Sequence, residues 1–196
     1  EIKLRVPGIF NIYNAMAAAT VALELGVNFK IIKKSLEDFK GIWRRFEIIG
    51  NHKGAILISD YAHHPTAIKE TIMAAKEFYP NRRIVAVFQP HSHNRTRKLF
   101  SGFAKSFDEA DLVILSEVYD VEGRENQKEK ISSKELAKAA RVIWNNRKDK
   151  SMPCFCGNNI FYAKDLKETE KILRKKIKKK DAVLIMGAGD IYKLKI

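Results

Sequence analysis

Two short segments of this sequence concentrate side chains that bind ligands or transfer protons. Residues 59–66 read Ser-Asp-Tyr-Ala-His-His-Pro-Thr, and residues 89–96 read Gln-Pro-His-Ser-His-Asn-Arg-Thr. The first segment places an acid, Asp60, beside two imidazoles, His63 and His64, directly after an apolar run. In open α/β sheets, ligands bind where a strand ends and a helix begins. The pattern therefore predicts a ligand site at two strand ends.

The same residues also have structural interpretations. Asp60 could cap the helix that follows, and His63 and His64 come just before Pro65, where an extended backbone is favoured. The histidines of the two segments could bind zinc, but the sequence shows no pattern of residues that would orient them as ligands, and we predict no metal site. Arg95 opposes the dipole of the helix predicted after it, which favours a negatively charged ligand nearby.

The elements that must position these segments follow from the apolar spacing. Residues 1–41 predict a helical hairpin, with Asn11 capping the first helix and Asn28 the second. Short strands are predicted at 46–49 and 55–59. Helices are then predicted at 66–79, from about 96, from about 132 and at 165–177, alternating with strands at 84–88, 111–115, 152–155 and 182–186. This alternation predicts an α/β fold with a Rossmann-like, mostly parallel sheet and helices on both faces.

The carboxyl ends of parallel strands line one edge of a sheet. We therefore expect residues 60–64, 89–95, 117–120 and 187–190 to face one crevice, while ordinary turns such as 79–82 serve the opposite edge. Residues 116–131 lack an apolar period and predict an exposed loop. Cys154 and Cys156 form an incomplete zinc site, and reduced thiols are expected there.

Composition limits the classes of function. The 196 residues are 45% hydrophobic and carry a net charge of +14, and the sequence predicts a soluble, cytoplasmic protein without a membrane span. The basic stretch 171–180 keeps an apolar stripe and is interpreted as a solvated helix face, so no nucleic-acid partner is predicted. The sequence contains no Gly-x-x-x-x-Gly-Lys-Ser/Thr motif for a nucleoside triphosphate. It does not begin with Met, so residue 1 is not expected to be the natural start; a longer parent protein and a trimmed chain would both explain this.

Five motifs follow one another in an order that is more specific than any one of them. They are Asn11-x-x-Asn14-Ala15, Arg44-Arg45-Phe46-Glu47, Asp60-Tyr61-Ala62-His63-His64-Pro65-Thr66, Phe88-Gln89-Pro90-His91 and Gly187-Ala188-Gly189-Asp190-Ile191. In this order they resemble the Mur ligases of peptidoglycan synthesis. The resemblance implies that residues 1–43 are the last helices of the central, ATP-binding domain and that residues 44–196 are the C-terminal domain. It also implies that the N-terminal and central domains that complete the site are missing partners of this chain.

The resemblance assigns roles to individual residues. ATP-binding roles fall on Asn11, Asn14, Arg45 and Asp60; catalytic roles fall on Asp60, His63 and His64; substrate-binding roles fall on Tyr61, His63, His91, Arg95, Gly187 and Asp190. Phe10 stands where members often have His, beside the expected adenine contact. Ser92 stands where an Arg is common, beside the expected amino-acid contact.

The implied reaction is ATP-dependent amide formation between UDP-N-acetylmuramate and L-alanine. The muramoyl carboxylate is phosphorylated, the amine attacks and phosphate leaves, with Mg²⁺ held mainly by the missing part. One alternative is the branch of the family that recycles murein peptides, because the residues from Ala62 to Ile68 resemble the sequence of that branch as well. A stand-alone binding module without catalysis and a basic nucleic-acid binder are the alternatives from other classes.

Overall fold

The chain forms a helical hairpin followed by an α/β unit. This computed structural model describes residues 1–120, 130–145 and 159–196. The helices are α1 (Ile9–Glu24), α2 (Phe29–Asp38), α3 (Pro65–Phe78), α4 (His93–Lys98), α5 (Phe100–Lys105), α6 (Ser133–Asn145) and α7 (Leu166–Lys176). The strands are β1 (Glu47–His52), β2 (Ala55–Asp60), β3 (Arg83–Phe88), β4 (Leu112–Ser116), β5 (Ile160–Ala163) and β6 (Asp181–Met186), and a short 3₁₀-helix spans Asp190–Lys193.

The six strands form one sheet in the order β1-β2-β6-β3-β4-β5. β1 is antiparallel to β2, and every other pair is parallel. The predicted mostly parallel α/β sheet is therefore confirmed. β6 lies between β2 and β3, so the segments that follow these three strands are neighbours in space.

Both faces of the sheet are buried under helices, which explains why its central strands are continuous apolar runs. Neighbouring residues of β3 belong to different clusters: Phe88 packs with Ile72 of α3 and Leu136 of α6, whereas Val87 packs with Leu173 of α7. The prediction of helices on both faces is confirmed by these two clusters.

The hairpin is built differently from the sheet. None of the residues of α1 is buried, and α2 buries only Ile32. Asn28 caps α2 as predicted, because its side chain accepts a hydrogen bond from the amide of Lys30 at 2.9 Å. The predicted cap at Asn11 is wrong: α1 starts at Ile9, and the Asn11 side chain donates back to the carbonyl of Pro7 at 2.7 Å.

The bounds of other helices and strands differ from those predicted. The single helix predicted from about residue 96 is two short helices, α4 and α5, that meet at Leu99. β5 lies at Ile160–Ala163 and was not predicted. The strand predicted at 152–155, the two cysteines and residues 121–129 of the predicted loop lie outside the described residues.

An ion pair fastens the amino ends of β3 and β6. The Asp181 carboxylate accepts hydrogen bonds from Nε and Nη2 of Arg83 at 2.9 and 2.7 Å, and from the amide of Lys178 at 2.7 Å. Asp181 is 1% exposed, so this edge of the sheet holds a buried carboxylate whose charge has a direct partner.

Across the parts of the chain that the structure describes, no helix combines the length and the apolar character that a membrane crossing needs.

Candidate functional site

The predicted crevice lies at the carboxyl ends of β2, β6 and β3. Asp60 ends β2 and is paired with Met186, which ends β6 and is paired in turn with Phe88 of β3. Beyond the strands, the amide of Gly187 donates to the carbonyl of Asp60 at 3.3 Å, and the amide of Gln89 donates to the carbonyl of Met186 at 3.1 Å. The three polar segments therefore start at adjacent positions of one sheet edge.

A cavity of about 660 Å³ lies between α1, α3 and residues 39–46, the linking segment that joins the hairpin to β1. Four residues with predicted ATP-binding roles, Asn11, Asn14, Arg45 and Asp60, line this cavity together with His64. Its remaining walls are formed by Val6, Phe10, Phe39, Gly41, Ile42, Thr66, Ala67, Glu70 and Thr71. The cavity has the size of a small-molecule site and combines apolar walls with a few polar groups.

Asp60 is a buried carboxylate at the floor of the crevice, 4% exposed. Its Oδ2 accepts a hydrogen bond from the amide of Phe46 at 2.8 Å, and its Oδ1 accepts one from the amide of Ala62 at 2.7 Å. Burial raises the pKa of Asp60, while these two hydrogen bonds, the charge of Arg45 and a hydrogen bond from Thr71 act in the opposite direction. Asp60 ties the linking segment to the sheet and does not cap α3.

The two histidines have different local roles. His64 caps α3, because its Nδ1 accepts a hydrogen bond from the amide of Thr66 at 3.3 Å, and Pro65 follows it at the start of the helix. His63 Nδ1 lies 2.9 Å from the carbonyl of Tyr61, and its ring meets the Tyr61 ring edge to face. His64 faces the cavity, whereas His63 is held beside Tyr61.

Arg44 is the residue that the sequence analysis missed. It is 3% exposed, and its Cζ lies 4.9 Å from the centre of the Tyr61 ring and 4.6 Å from that of Tyr192. Its Nη2 donates to the carbonyl of Gly187. Burial lowers the pKa of the Arg44 guanidinium, and the neighbouring Tyr61, Tyr192 and Asp60 oppose that shift. The only sequence signal is the pair of adjacent arginines ahead of Phe46.

The turn after β6 requires glycine at two places. Gly187 has φ 143°, and a Cβ there would lie 2.7 Å from the carbonyl oxygen of Gln89. A Cβ on Gly189 would meet the Gln89 side chain and the Tyr119 ring, each at 2.7 Å. Asp190 begins the 3₁₀-helix, and its buried Oδ1 accepts no hydrogen bond from any residue within the described ranges. The glycines let this turn pack closely on the segment after β3.

The second sequence segment is only partly brought to the cavity. The His91 ring stacks on Tyr119 with 5.4 Å between ring centres. Arg95 lies on α4 and lines a separate depression of about 390 Å³ with Ser92 and Lys98. Ser92 caps α4, because its Oγ accepts a hydrogen bond from the amide of Arg95 at 3.4 Å. The structure therefore places Arg95 outside the cavity that holds Asp60.

Glu117, just after β4, is a structural hub. Its carboxylate accepts hydrogen bonds from the hydroxyls of Tyr162 and Ser132 at 2.6 and 2.7 Å and from the amides of Ser133 and Val118 at 2.8 and 2.9 Å. Burial alone would raise the pKa of Glu117, but these four donors together lower it. The group holds the start of α6 against the sheet.

The geometry defines what the cavity can bind. Among the residues that the structure describes, no group of three or more His, Cys, Asp or Glu side chains is arranged to hold a metal ion. Two amide side chains, a guanidinium and a buried carboxylate face a cavity with aromatic and aliphatic walls. This combination suits a ligand with a flat apolar part and an anionic part.

Comparisons with known proteins show which proteins this chain is similar to. A family model described as Mur ligase, glutamate ligase domain, matches residues 44–189. The UDP-N-acetylmuramate–L-alanine ligase of Sulfurihydrogenibium sp. is 44% identical over 194 residues, which cover 99% of this chain and 39% of that protein.

Two solved structures share the fold. The UDP-N-acetylmuramate–alanine ligase of Thermotoga maritima has a TM-score of 0.77 at 30% identity, and the match covers 98% of this chain and 37% of that one. The murein peptide ligase of Psychrobacter arcticus has a TM-score of 0.66 at 26% identity, with 98% and 37% covered. This chain thus spans about two fifths of the length of the relatives it matches. The chain belongs to the Mur ligase family.

Proposed function

We propose that this chain is the C-terminal part of an ATP-dependent ligase that joins L-alanine to UDP-N-acetylmuramate in peptidoglycan synthesis. The observation that carries the proposal is the shared cavity of Asn11, Asn14, Arg45 and Asp60, which come from three separate parts of the chain. Relatives with the name of this activity match nearly the whole chain at up to 44% identity. The cytoplasmic location stays a prediction that accompanies this function.

The hairpin supports the proposed domain division at residues 43 and 44. Helix α1 exposes a row of large apolar side chains, including Tyr13 at 64% and Met16 at 59%. An apolar groove of about 700 Å³ runs along α1 and the first residues of the chain. Contiguous apolar surface of this kind marks an interface. We assign this face to the central domain of the full-length ligase.

The cavity residues divide the work of binding the nucleotide. The side-chain amides of Asn11 and Asn14 can donate to and accept from a purine edge, and Phe10 supplies an apolar wall in place of a hydrogen-bonding side chain. The Arg45 guanidinium can pair with phosphate oxygens. ATP supplies the phosphoryl group that activates the muramoyl carboxylate for attack by the amine.

The remaining site residues act around this nucleotide. Asp60 holds the linking segment through the amide of Phe46, and the charge of Arg45 lowers the pKa of Asp60. Tyr61, His63, Gly187 and Asp190 lie at the same sheet edge and are proposed to meet UDP-N-acetylmuramate. His91 and Arg95 stay proposed contacts of the amino acid, and Mg²⁺ is proposed to be held mainly by the rest of the ligase.

Phosphate release by the full-length protein tests the proposal. With ATP, Mg²⁺ and UDP-N-acetylmuramate, we expect turnover with L-alanine and little turnover with the tripeptide L-alanyl-γ-D-glutamyl-meso-diaminopimelate. The chain of 196 residues is the control, because it lacks the triphosphate motif and should release no phosphate. Turnover with the tripeptide alone would favour the peptide-recycling branch, and ATP binding without turnover on either amine would favour a binding module.

A further inference from the structure

Arg44 and Arg45 are adjacent, but they face different surroundings. Arg44 is buried against the rings of Tyr61 and Tyr192, whereas Arg45 is exposed and lines the cavity with Asn11 and Asp60. Both guanidinium groups lie near Tyr61, with Cζ at 4.9 Å for Arg44 and 5.6 Å for Arg45 from the centre of its ring. One arginine is therefore a packed group and the other is available to a ligand.

The backbone on both sides of Arg45 is strained. Arg44 has φ 54° and Phe46 has φ 50°, which are uncommon values for residues other than glycine. Such conformations persist only where the surroundings hold them. Here the amide of Arg44 donates to Glu47 at 2.9 Å and the amide of Phe46 donates to Asp60 at 2.8 Å.

The Arg44 side chain closes a loop of contacts at the sheet edge. Its Nη2 donates to the carbonyl of Gly187, and the amide of Gly187 donates to the carbonyl of Asp60 at 3.3 Å. The carbonyl of Arg44 in turn accepts a hydrogen bond from the amide of Tyr61 at 2.8 Å. The linking segment, the end of β2 and the turn after β6 are thereby joined through one residue.

We propose that Arg44 is a positioning residue for the proposed nucleotide site: its contacts with Gly187, Tyr61 and Tyr192 fix the linking segment so that Arg45 points into the cavity. A guanidinium suits this place because its planar face packs on aromatic rings while its edge donates hydrogen bonds. The inference rests on the proposed function, because Arg45 has a task only if the cavity binds ATP.

A double-mutant cycle in the full-length ligase tests this role. Arg44→Met keeps an unbranched side chain about as long as the aliphatic stem of arginine and removes the guanidinium with its donors and charge, and Arg45→Met does the same to the cavity residue. We expect Arg44→Met to raise KM for ATP by about tenfold, because a misplaced Arg45 would lose one charged hydrogen bond to the phosphates. In the Arg45→Met background the same change should raise KM by less than about twofold, because coupled residues are not additive.

Arg82→Met is the matched control. Arg82 also lies over an aromatic ring, that of Tyr79, and donates to the backbone carbonyls of Gly54 and Asp181, but it sits at the opposite edge of the sheet. It should lower the melting temperature and leave KM for ATP unchanged. An Arg44→Met enzyme with unchanged KM, or with the same increase in both backgrounds, would overturn the positioning role.

Two further measurements keep the test decisive. If Arg44→Met does not fold, Arg44→Lys replaces it in the cycle, because lysine keeps a charged donor and loses the planar face; a smaller increase in KM is then expected, and no increase overturns the role. Hydrogen exchange at the amides of Phe46 and Tyr61 should be at least about tenfold faster in Arg44→Met than in Arg82→Met, whether or not the protein ligates. Faster exchange in a protein without turnover contradicts the proposed function alone, whereas unchanged exchange contradicts the role of Arg44 alone.

Discussion

Two buried aspartates stand at opposite ends of neighbouring parallel strands, and their surroundings differ. Asp181 begins β6, and its carboxylate has a two-pronged ion pair with Arg83 as well as a backbone amide. Asp60 ends β2, and its carboxylate accepts two backbone amides; none of the cationic side chains described here forms an ion pair with it. The charge of Asp181 is balanced within the fold, whereas that of Asp60 is balanced mainly by dipoles.

The difference separates a structural residue from a candidate functional one. A buried carboxylate with a raised pKa beside a cavity is typical of a functional site, because a charge without an ion-pair partner can act on a ligand. Arg45 is close enough to Asp60 to lower its pKa, but it stays exposed. The amino edge of the sheet therefore holds the fold together, and the carboxyl edge keeps charged groups available.

Removing the charge at the amino edge should have the largest effect on stability. Asp181→Asn leaves the Arg83 guanidinium without its carboxylate, and we expect the free energy of unfolding to fall by about 3 kcal/mol. The value is at the low end for buried pairs because a quarter of the Arg83 side chain is exposed. Urea denaturation measures it. Asp38→Asn, which breaks the exposed pair with Arg5, is the control and should cost less than about 1 kcal/mol.

Asp60→Asn should reduce stability less than Asp181→Asn does, but it should reduce activity more. The Asn amide group can accept from one of the two backbone amides and opposes the other, so we expect a loss of about 1 to 2 kcal/mol. If Asp60 were only a helix cap, Asn could replace it without this loss of stability. In the full-length ligase, kcat/KM for ATP should fall by about tenfold or more.

Asp111→Asn is the matched control for that experiment. Its carboxylate accepts the amide of Ile84 at 2.7 Å at the other edge of the sheet, so the same change of charge should leave kcat/KM for ATP as it is. Wild-type kinetics for Asp60→Asn would show that the Asp60 carboxylate only ties the linking segment to the sheet.

Thr71→Val should have the smallest effect on the free energy of unfolding, and this effect should depend on pH. The pKa of Asp60 is raised, so the stability that this residue contributes is present in full below the ordinary aspartate pKa of about 3.9 and is lost as the pH rises through the folded-state pKa. Thr71 opposes this shift with a hydrogen bond to the carboxylate. We expect Thr71→Val to cost about 1 kcal/mol near pH 8 and less near pH 4, in urea denaturation at both pH values.

Thr169→Val shows whether that dependence belongs to Asp60. Thr169 is buried on α7, and its hydroxyl donates a hydrogen bond to the backbone carbonyl of Asp165 at 2.8 Å. A backbone carbonyl does not titrate, so this hydrogen bond does not depend on pH. Its cost should be equal at the two pH values. If the Thr71 variant also shows equal costs, the carboxylate of Asp60 does not titrate in this range.

The sequence predicted the parts of the fold that depend on local pattern. Continuous apolar runs fixed the positions of β2, β3, β4 and β6 to within one residue at each end, and the cap at Asn28 follows from the side chain alone. The meeting of three polar segments at one edge followed from the geometry of parallel strands.

The parts that were missed depend on contacts between distant residues. The position of β6 between β2 and β3 is a matter of long-range pairing. Nothing local distinguishes Arg44 from Arg45, because the burial of Arg44 depends on Tyr61, Tyr192 and Gly187, which lie far along the chain. Asp60 looked like a helix cap because its partner, the amide of Phe46, lies 14 positions earlier in the chain.

The place of β6 has a consequence for how the protein is made. β6 is synthesised after the other five strands described here, yet it is the one that joins β2 to β3. Until it is synthesised, the two halves of the sheet have no common neighbour, and β2 and β3 each present an open, apolar edge. Such edges pair readily with other chains. A nascent chain halted before residue 181 is therefore expected to aggregate rather than to accumulate as a partly folded domain, and the synthesis of β6 sets the earliest time at which the sheet can close.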